Sequence, residues 1–305
     1  MKIEVLGTTP SPQQMITWVA RFSHRSHDKA SPEADAKLFK ALYEKGHWSA
    51  FEFNRWTALV RFEDGLLEWL AKTHGWELTD MGDEKIISGN ARTLLDGIST
   101  PFGHALLKAV AREQGWRWLQ DCSWWEYPLE QLCWNDYYIY EPILETLPPT
   151  ERAKHAAALF VFRDISRVCA TQMLRHWLCS FMQESLRYVG IPKRFYKGPY
   201  VVPRTIRQNP RGLVKLYRSA CDAAFGLYHD FIGDWKVPKE DARFVLPLST
   251  KTTLVVMASL REWAHIIRLR TSKAAQWEIR ERMEWVRDVL LERVPWFKEV
   301  LDEER

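Results

Sequence analysis

The sequence predicts a mixed fold of amphipathic helices and short strands around a sizeable core. Three observations carry that expectation. Apolar residues recur at helical spacing over 33–45, 211–232 and 275–290, whereas residues 2–6 alternate and 252–257 are rich in β-branched side chains. Hydrophobic residues make up 46% of the 305, enough for one large domain or two small ones. No segment approaches the length needed to span a bilayer, so a soluble, cytoplasmic protein with no membrane partner is expected.

Taken in order, a strand over 2–6 is broken by Pro10 and Pro12 before a helix over 13–22. His24 and His27 follow in a polar loop; without a carboxylate or third histidine at helical spacing they do not suggest a metal site. The next helix, 33–45, places Ala36, Phe39, Leu42 and Tyr43 on one side and stops at Gly46. A turn over 47–53 leads into a strand over 56–62. Helical periodicity returns at 66–72 and 102–122, and Ile86 to Leu95 (IISGNARTLL) reads as a helix start. Residues 116–140 are dense in Trp and Tyr, which build a core or interface more often than they stack on bases or flavins. Pro148 and Pro149 read as a hinge.

Further on, the helix over 211–232 carries Leu213, Leu216, Ala220, Ala224 and Leu227 along one stripe and ends at Gly233. Residues 242–248 form a short apolar strand or helical turn containing Arg243, read as a buried arginine in need of an anion. Leu260, Trp263, Ala264 and Ile267 share one helical face, and Arg261, His265 and Arg268 the opposite one. Ser272 is the expected cap of the last helix, which keeps Ala275, Ile279, Met283, Val286 and Leu290 in register up to Pro295.

Charge and cysteine usage narrow the function classes. A net charge of +4 suits small anionic ligands but is too mild on this length to indicate nucleic-acid binding. Five cysteines, at 122, 133, 169, 179 and 221, include no C-x-x-C pair, so neither a disulfide framework nor a zinc site is expected. Neither G-x-G-x-x-G nor G-x-x-x-x-G-K is present.

The densest chemistry lies in Gln172 to Tyr188, QMLRHWLCSFMQESLRY. A helix over 166–178 would put Gln172, Arg175 and His176 on one face, three and four residues apart. After Ser180 the apolar period is lost, so Ser185 and Arg187 would be presented from a turn or short extended segment. A guanidinium fork pairs with phosphate oxygens and a serine hydroxyl adds a donor in a third direction, so Arg175, Ser185 and Arg187 could hold one dianion. A solvated loop bearing surface arginines fits the same run equally well.

Resemblance separates the two. Arg175-His176-x, seven residues more and Ser185, then Arg187 and Tyr188, resembles the signature of the flavin-dependent thymidylate synthases, the ThyX family, usually Arg-His-Arg-x7-Ser. Phe160 to Phe162, Ile165 to Arg167 and Gln172 resemble the approach to that motif. A second block, Arg243 to Pro247, Leu260-Arg261, His265, Leu269-Arg270 and Ala275 to Arg280, agrees, as does a weaker third, Ala20 to Ser23 with Gly46-His47 and Phe51-Glu52.

What the resemblance implies is an α+β fold, a twisted, mostly antiparallel sheet surrounded by helices, in a single domain over 1–305. Residues 64–156 would then be a mainly helical insertion. It also implies a homotetramer with shared active sites, an FAD cofactor, methylenetetrahydrofolate and NADPH as cosubstrates, and a small-molecule nucleotide substrate, dUMP converted to dTMP. Gln172, Arg175, Ser185, Arg187, Arg243 and Arg270 match nucleotide-side positions; Ser23, His176, Gln183, Arg261 and His265 match the flavin side. Arg270 matches the arginine at the uracil ring, where a guanidinium would stabilise developing negative charge, so it is the expected catalytic group. Trp177, Met182, Ser259 and Phe53 depart from the family pattern, all on the flavin side. A paralogue acting on dCMP or UMP and a non-catalytic nucleotide-binding protein are the alternatives.

Overall fold

The computed structural model describes residues 2–61, 65–113, 136–191 and 198–303. The chain opens with β1 (Lys2–Thr8), α1 (Pro12–His24), α2 (Pro32–Glu44) and β2 (Trp56–Arg61), followed by α3 (Leu66–Lys72), β3 (Glu77–Asp80), β4 (Glu84–Gly89), α4 (Ala91–Asp96) and α5 (Pro101–Glu113). After the undescribed stretch come β5 (Tyr137–Tyr140), α6 (Pro149–His155), β6 (Ala157–Ser166), α7 (Arg167–Met173), β7 (Ser180–Gln183), α8 (Arg204–Arg207) and α9 (Leu213–Gly233). The chain closes with α10 (Lys239–Ala242), β8 (Lys251–Ser259), α11 (Leu260–Arg270), α12 (Trp277–Arg293) and α13 (Phe297–Asp302).

Helices and antiparallel sheet are both present, but the expected single sheet is two. Among the described residues one sheet runs β1-β2-β4-β3 and the other β5-β6-β8-β7, every neighbouring pair antiparallel. Alternation along β6 explains how the second sheet buries both faces. Ala158, Phe160 and Phe162 point to a core closed by α7, α11, α12 and α13, while Ala157, Leu159 and Val161 meet Met15, Val19 and Phe22 of α1. Asp164, at φ 56°, marks the bulge where the β6–β8 register shifts between Phe162 and Ile165.

Where it is described, the stretch at 64–156 holds more helix than strand, with β3, β4 and β5 set among α3 to α6. Ile86 and Ile87, expected in a helix, lie in β4 and pair with β2, because β-branched residues in register with a neighbouring strand outweigh a helical pattern. The helix begins only after Asn90, whose side chain accepts from Thr93 N in a capping box. Pro149 is no hinge: it occupies the first turn of α6, where a missing N–H costs nothing. The helix expected over 102–122 is described to Glu113; its remainder, most of the Trp-rich run, Cys122 and Cys133 lie outside the described residues.

Hairpin β3–β4 and α6 join the two sheets through a buried polar chain. The Tyr140 hydroxyl donates to Thr57 Oγ1 at 2.9 Å, and Thr57 and Ser88 hydroxyls meet at 2.7 Å. His155 lies between Ser88 Oγ (2.7 Å from Nδ1) and Thr79 Oγ1 (2.9 Å from Nε2), fully buried. Burial pushes its pKa down to about 4, so the ring is neutral there, one nitrogen donating and the other accepting.

Two further helical expectations change. On α9 the buried face is Cys221, Phe225 and Tyr228, and the expected stripe of Leu213, Leu216 and Leu227 is exposed. The last helix is capped by Gln276 rather than Ser272: its side chain accepts from Glu278 N and Ile279 N, and Ile279, Met283, Val286 and Leu290 are buried as the register requires.

Candidate active site

The signature run begins on α7, which is shorter than the expected 166–178 helix. Ser166 caps it by accepting from Cys169 N, and Ser166 is itself held by the buried Glu278, which accepts from its N–H at 2.7 Å and its hydroxyl at 2.5 Å. The helix ends at Met173. Arg175 and His176 therefore sit in the following turn, not on one helical face with Gln172.

That turn meets the C-terminal end of α11. Arg270 Nε donates to His176 Nε2 at 3.0 Å, and Arg270 Nη2 donates to the Gln172 carbonyl at 3.3 Å. His176 is buried, its ring edge-on to that of the exposed His265 with centroids 6.3 Å apart. Burial, then the Arg270 charge, pushes the His176 pKa down to about 4, so a neutral imidazole accepts from the guanidinium. Burial, then the like charge of Arg175, also holds Arg270 below the ordinary arginine value. Arg175 is exposed and makes no hydrogen bond or ion pair with another described residue. Two neighbouring guanidiniums without a carboxylate between them favour a bound anion. Arg261 is exposed one turn before His265 on α11.

The remaining matched residues gather elsewhere. Ser185 N donates to the Ser23 carbonyl at 3.1 Å, and Ser185 Oγ accepts from Arg187 N at 3.2 Å. Arg187 pairs with Glu240 at 2.6 Å, and Arg243 Nε donates to the Glu240 carbonyl at 2.9 Å. Arg243 is exposed rather than buried, because it starts a short 3-10 turn that turns its side chain outward. With Arg167 it lines a pocket of about 280 Å³. Gln183, on β7, reaches Thr252 Oγ1 at 3.4 Å. Among the described residues, no hydrogen bond or ion pair links the Arg187–Arg243 group to the His176–Arg270 group.

The departing residues divide. Phe53 is fully buried in the core against α1, and Met182 packs between two core clusters. Trp177, 91% exposed, and Ser259, which caps α11 by accepting from Glu262 N, line a cleft of about 570 Å³. Its other wall comes from the 64–156 stretch and the start of β2: Arg55, His74, Trp76, Glu77, Asn90 and Arg92.

Two residues were missed in the sequence. Arg167, beside Arg243, donates to the Glu184 carbonyl at 3.1 Å and leaves its buried Nε unpartnered among the described residues. Its signal was present, since it falls in the quoted Ile165-Ser166-Arg167 block. Arg55 gave no local signal, because nothing in its neighbourhood marks it as buried.

Comparison with known proteins bears directly on this arrangement. Residues 145–296, which hold β6 to α12, match the model of the thymidylate synthase complementing protein family. A flavin-dependent thymidylate synthase of Pyrococcus horikoshii is 33% identical over 168 residues, 54% of this chain and 68% of that protein. The chain belongs to this family. Another relative so named, from Thermococcus onnurineus, is 36% identical over 144 residues, 47% of this chain and 54% of that protein. The chain thus spans about half the length of this thymidylate synthase relative. A solved UMP/dUMP methylase, PolB from Streptomyces cacaoi bound with 5-Br dUMP, aligns over 99% of this chain and 94% of that one, at 16% identity and a TM-score of 0.40.

Proposed function

We propose that the protein is a reductive methyltransferase of this family, converting dUMP to dTMP with methylenetetrahydrofolate and NADPH on a bound FAD. The observation that carries the reading is the turn-to-helix contact in which Arg270, 94 residues from His176 in sequence, donates to its ring beside the unpaired Arg175. A cationic, half-buried site with a spare guanidinium suits a nucleotide phosphate or flavin pyrophosphate. Arg261, His176 and His265 are residues that would hold the flavin-side anion, and Arg175 would hold the nucleotide phosphate. The flavin, when bound, supplies the hydride chemistry; the chain's own residues bind and orient. Arg270 would face the pyrimidine, stabilising negative charge on its oxygens.

The separation of Arg187, Ser185 and Arg243 from Arg270 supports a shared site. In a homotetramer, the second group of one subunit would complete the first group of another. The exposed stripe of Leu213, Leu216 and Leu227 on α9 gives such subunits an apolar face to bury.

The test is a visible absorbance spectrum of the purified chain reconstituted with FAD and titrated with dUMP. A bound-flavin spectrum that shifts on dUMP addition is expected. Turnover of dCMP or UMP with none of dUMP would replace the substrate, and dUMP binding without retained flavin would leave a non-catalytic nucleotide-binding protein.

A further inference from the structure

We propose that the 570 Å³ cleft is an anion-holding site built around Arg55, taking an aromatic heterocycle that carries a phosphate or carboxylate arm. The proposal rests on the flavin-and-nucleotide reading and deepens it, giving the 64–156 stretch a part in ligand binding.

Arg55 is the deciding residue. Its backbone is fixed just before β2: its N–H donates to Thr9 Oγ1 and its carbonyl accepts from Thr9 N, both at 2.8 Å. Its side chain is 9% exposed, and neither Nε nor Nη2 has a hydrogen-bond partner among the described residues. Buried charged donors left unpaired are costly, so a protein that keeps them gains something elsewhere. The side chain lines the cleft, so an oxyanion bound there would lie against its uncompensated positive charge.

Three carboxylates also line the cleft, and two are already engaged. Arg92 pairs with Glu52 at 2.6 Å and with Asp96 at 3.5 Å. Burial holds Arg55 below the ordinary arginine value, Glu77 offsets only part of that, and the two form no ion pair. Glu77 remains as an acceptor for a ring N–H of the ligand. Trp76, His74 and the exposed Trp177 supply flat surfaces for such a ring. The volume falls within the range of small-molecule sites, roughly 300–1,000 Å³. Position agrees as well: Trp177 follows His176 directly, and Ser259 starts the helix that carries Arg261, His265 and Arg270.

The experiment titrates the full chain with two ligand pairs, FAD against riboflavin and folate against 6-hydroxymethylpterin, for the wild type, Arg55→Gln and Glu77→Gln, with apo melting curves for each. The anion-bearing member of one pair should bind roughly tenfold tighter than its partner. Preference for FAD identifies a phosphate arm and preference for folate a carboxylate arm. Arg55→Gln should abolish that preference while the apo protein melts at the same or a higher temperature, since an unpaired buried charge has been removed. An unchanged preference in Arg55→Gln overturns the inference, as does a wild type with no preference in either pair. So does an apo protein destabilised by Glu77→Gln, because Glu77 would then be the structural partner of Arg55; this arm holds even if Arg55→Gln does not fold. A wild type that retains FAD and shifts with dUMP, yet fails these tests, sinks this inference alone. Failure to bind either FAD or dUMP sinks the functional reading with it.

Discussion

Arg21 and Arg55 are both buried arginines of the N-terminal half, yet their surroundings are opposite. Arg21, on α1, is closed: Nε donates to Asp35 Oδ1 at 2.9 Å, Nη2 pairs with the same carboxylate, and Nη1 donates to the Ser26 carbonyl at 2.8 Å. Arg55 lines a cleft and keeps two buried donors without a hydrogen-bond partner among the described residues. The same division recurs around the signature run, where Glu184 closes Arg25, at the end of α1, while Arg175 and Arg270 repel each other without a carboxylate between them. A closed cation belongs to the fold, and an open one is available to a ligand.

Breaking a closed pair should give the largest effect. Asp35→Asn leaves the Arg21 charge buried without its counter-ion, at a cost of about 3–5 kcal/mol. Urea denaturation would show it as a lowered midpoint at unchanged slope. A loss below about 1 kcal/mol would mean that Arg21 relaxes into water, and the distinction between closed and open cations would collapse.

Removing a cation that no carboxylate neutralises should strike turnover more than stability. Arg270→Ala is expected to lower kcat by about 10²–10³ while phosphate binding is largely kept, the scale seen when one preorganised donor is lost. Steady-state assays with dUMP, alongside an anion-binding titration, separate the two effects. Retained turnover would remove Arg270 from the role assigned to it.

The closed network around His155 makes a pH prediction. Its pKa is depressed to about 4 in the folded chain against an ordinary value near 6.5. The unfolded chain therefore binds a proton first as pH falls, and the contribution present above pH 6.5 is lost progressively down to about pH 4. The slope is about 1.4 kcal/mol per pH unit, and about 3 kcal/mol in all. His176, with its pKa also pushed down to about 4, adds a loss of the same sign. Denaturation midpoints measured between pH 7 and 4.5, with NMR titration of the two rings, check this. An imidazole at position 155 that titrates near pH 6.5 in the folded protein would contradict it.

What could be read from the sequence followed from local pattern. The strand at β1, helices α1 to α3 and the burial of Ile279, Met283, Val286 and Leu290 all obey a period of 2 or 3.6 within one element. The signature residues were legible because their spacing survives as text. Long-range contacts were not. Ile86 and Ile87 look helical until β2 is placed beside them, and α9 offers two apolar stripes whose choice depends on which one meets Tyr200 and Val202. Arg243 reads as buried because its neighbours are apolar, whereas a 3-10 turn exposes it. Arg55 could not be found, since its isolation is a property of side chains brought together from four distant segments.

The smallest effect tests whether closure or exclusion of water gives a pair its value. Lys72 and Glu68 form an i,i+4 pair at 2.6 Å on α3, closed in geometry but half exposed on both sides. Solvent screens such a pair and ordering two long side chains offsets part of the attraction, so Lys72→Ala should cost only about 0.3–0.5 kcal/mol. That loss should fade at high salt, whereas the Asp35→Asn loss should persist, because ions cannot enter the space between Arg21 and Asp35. Parallel denaturation of both variants at low and high ionic strength measures the difference. If the Asp35→Asn deficit faded with salt as fully as the Lys72→Ala deficit, burial would not be what gives Arg21 its counter-ion's worth. The open state of Arg55 would then no longer mark a ligand site.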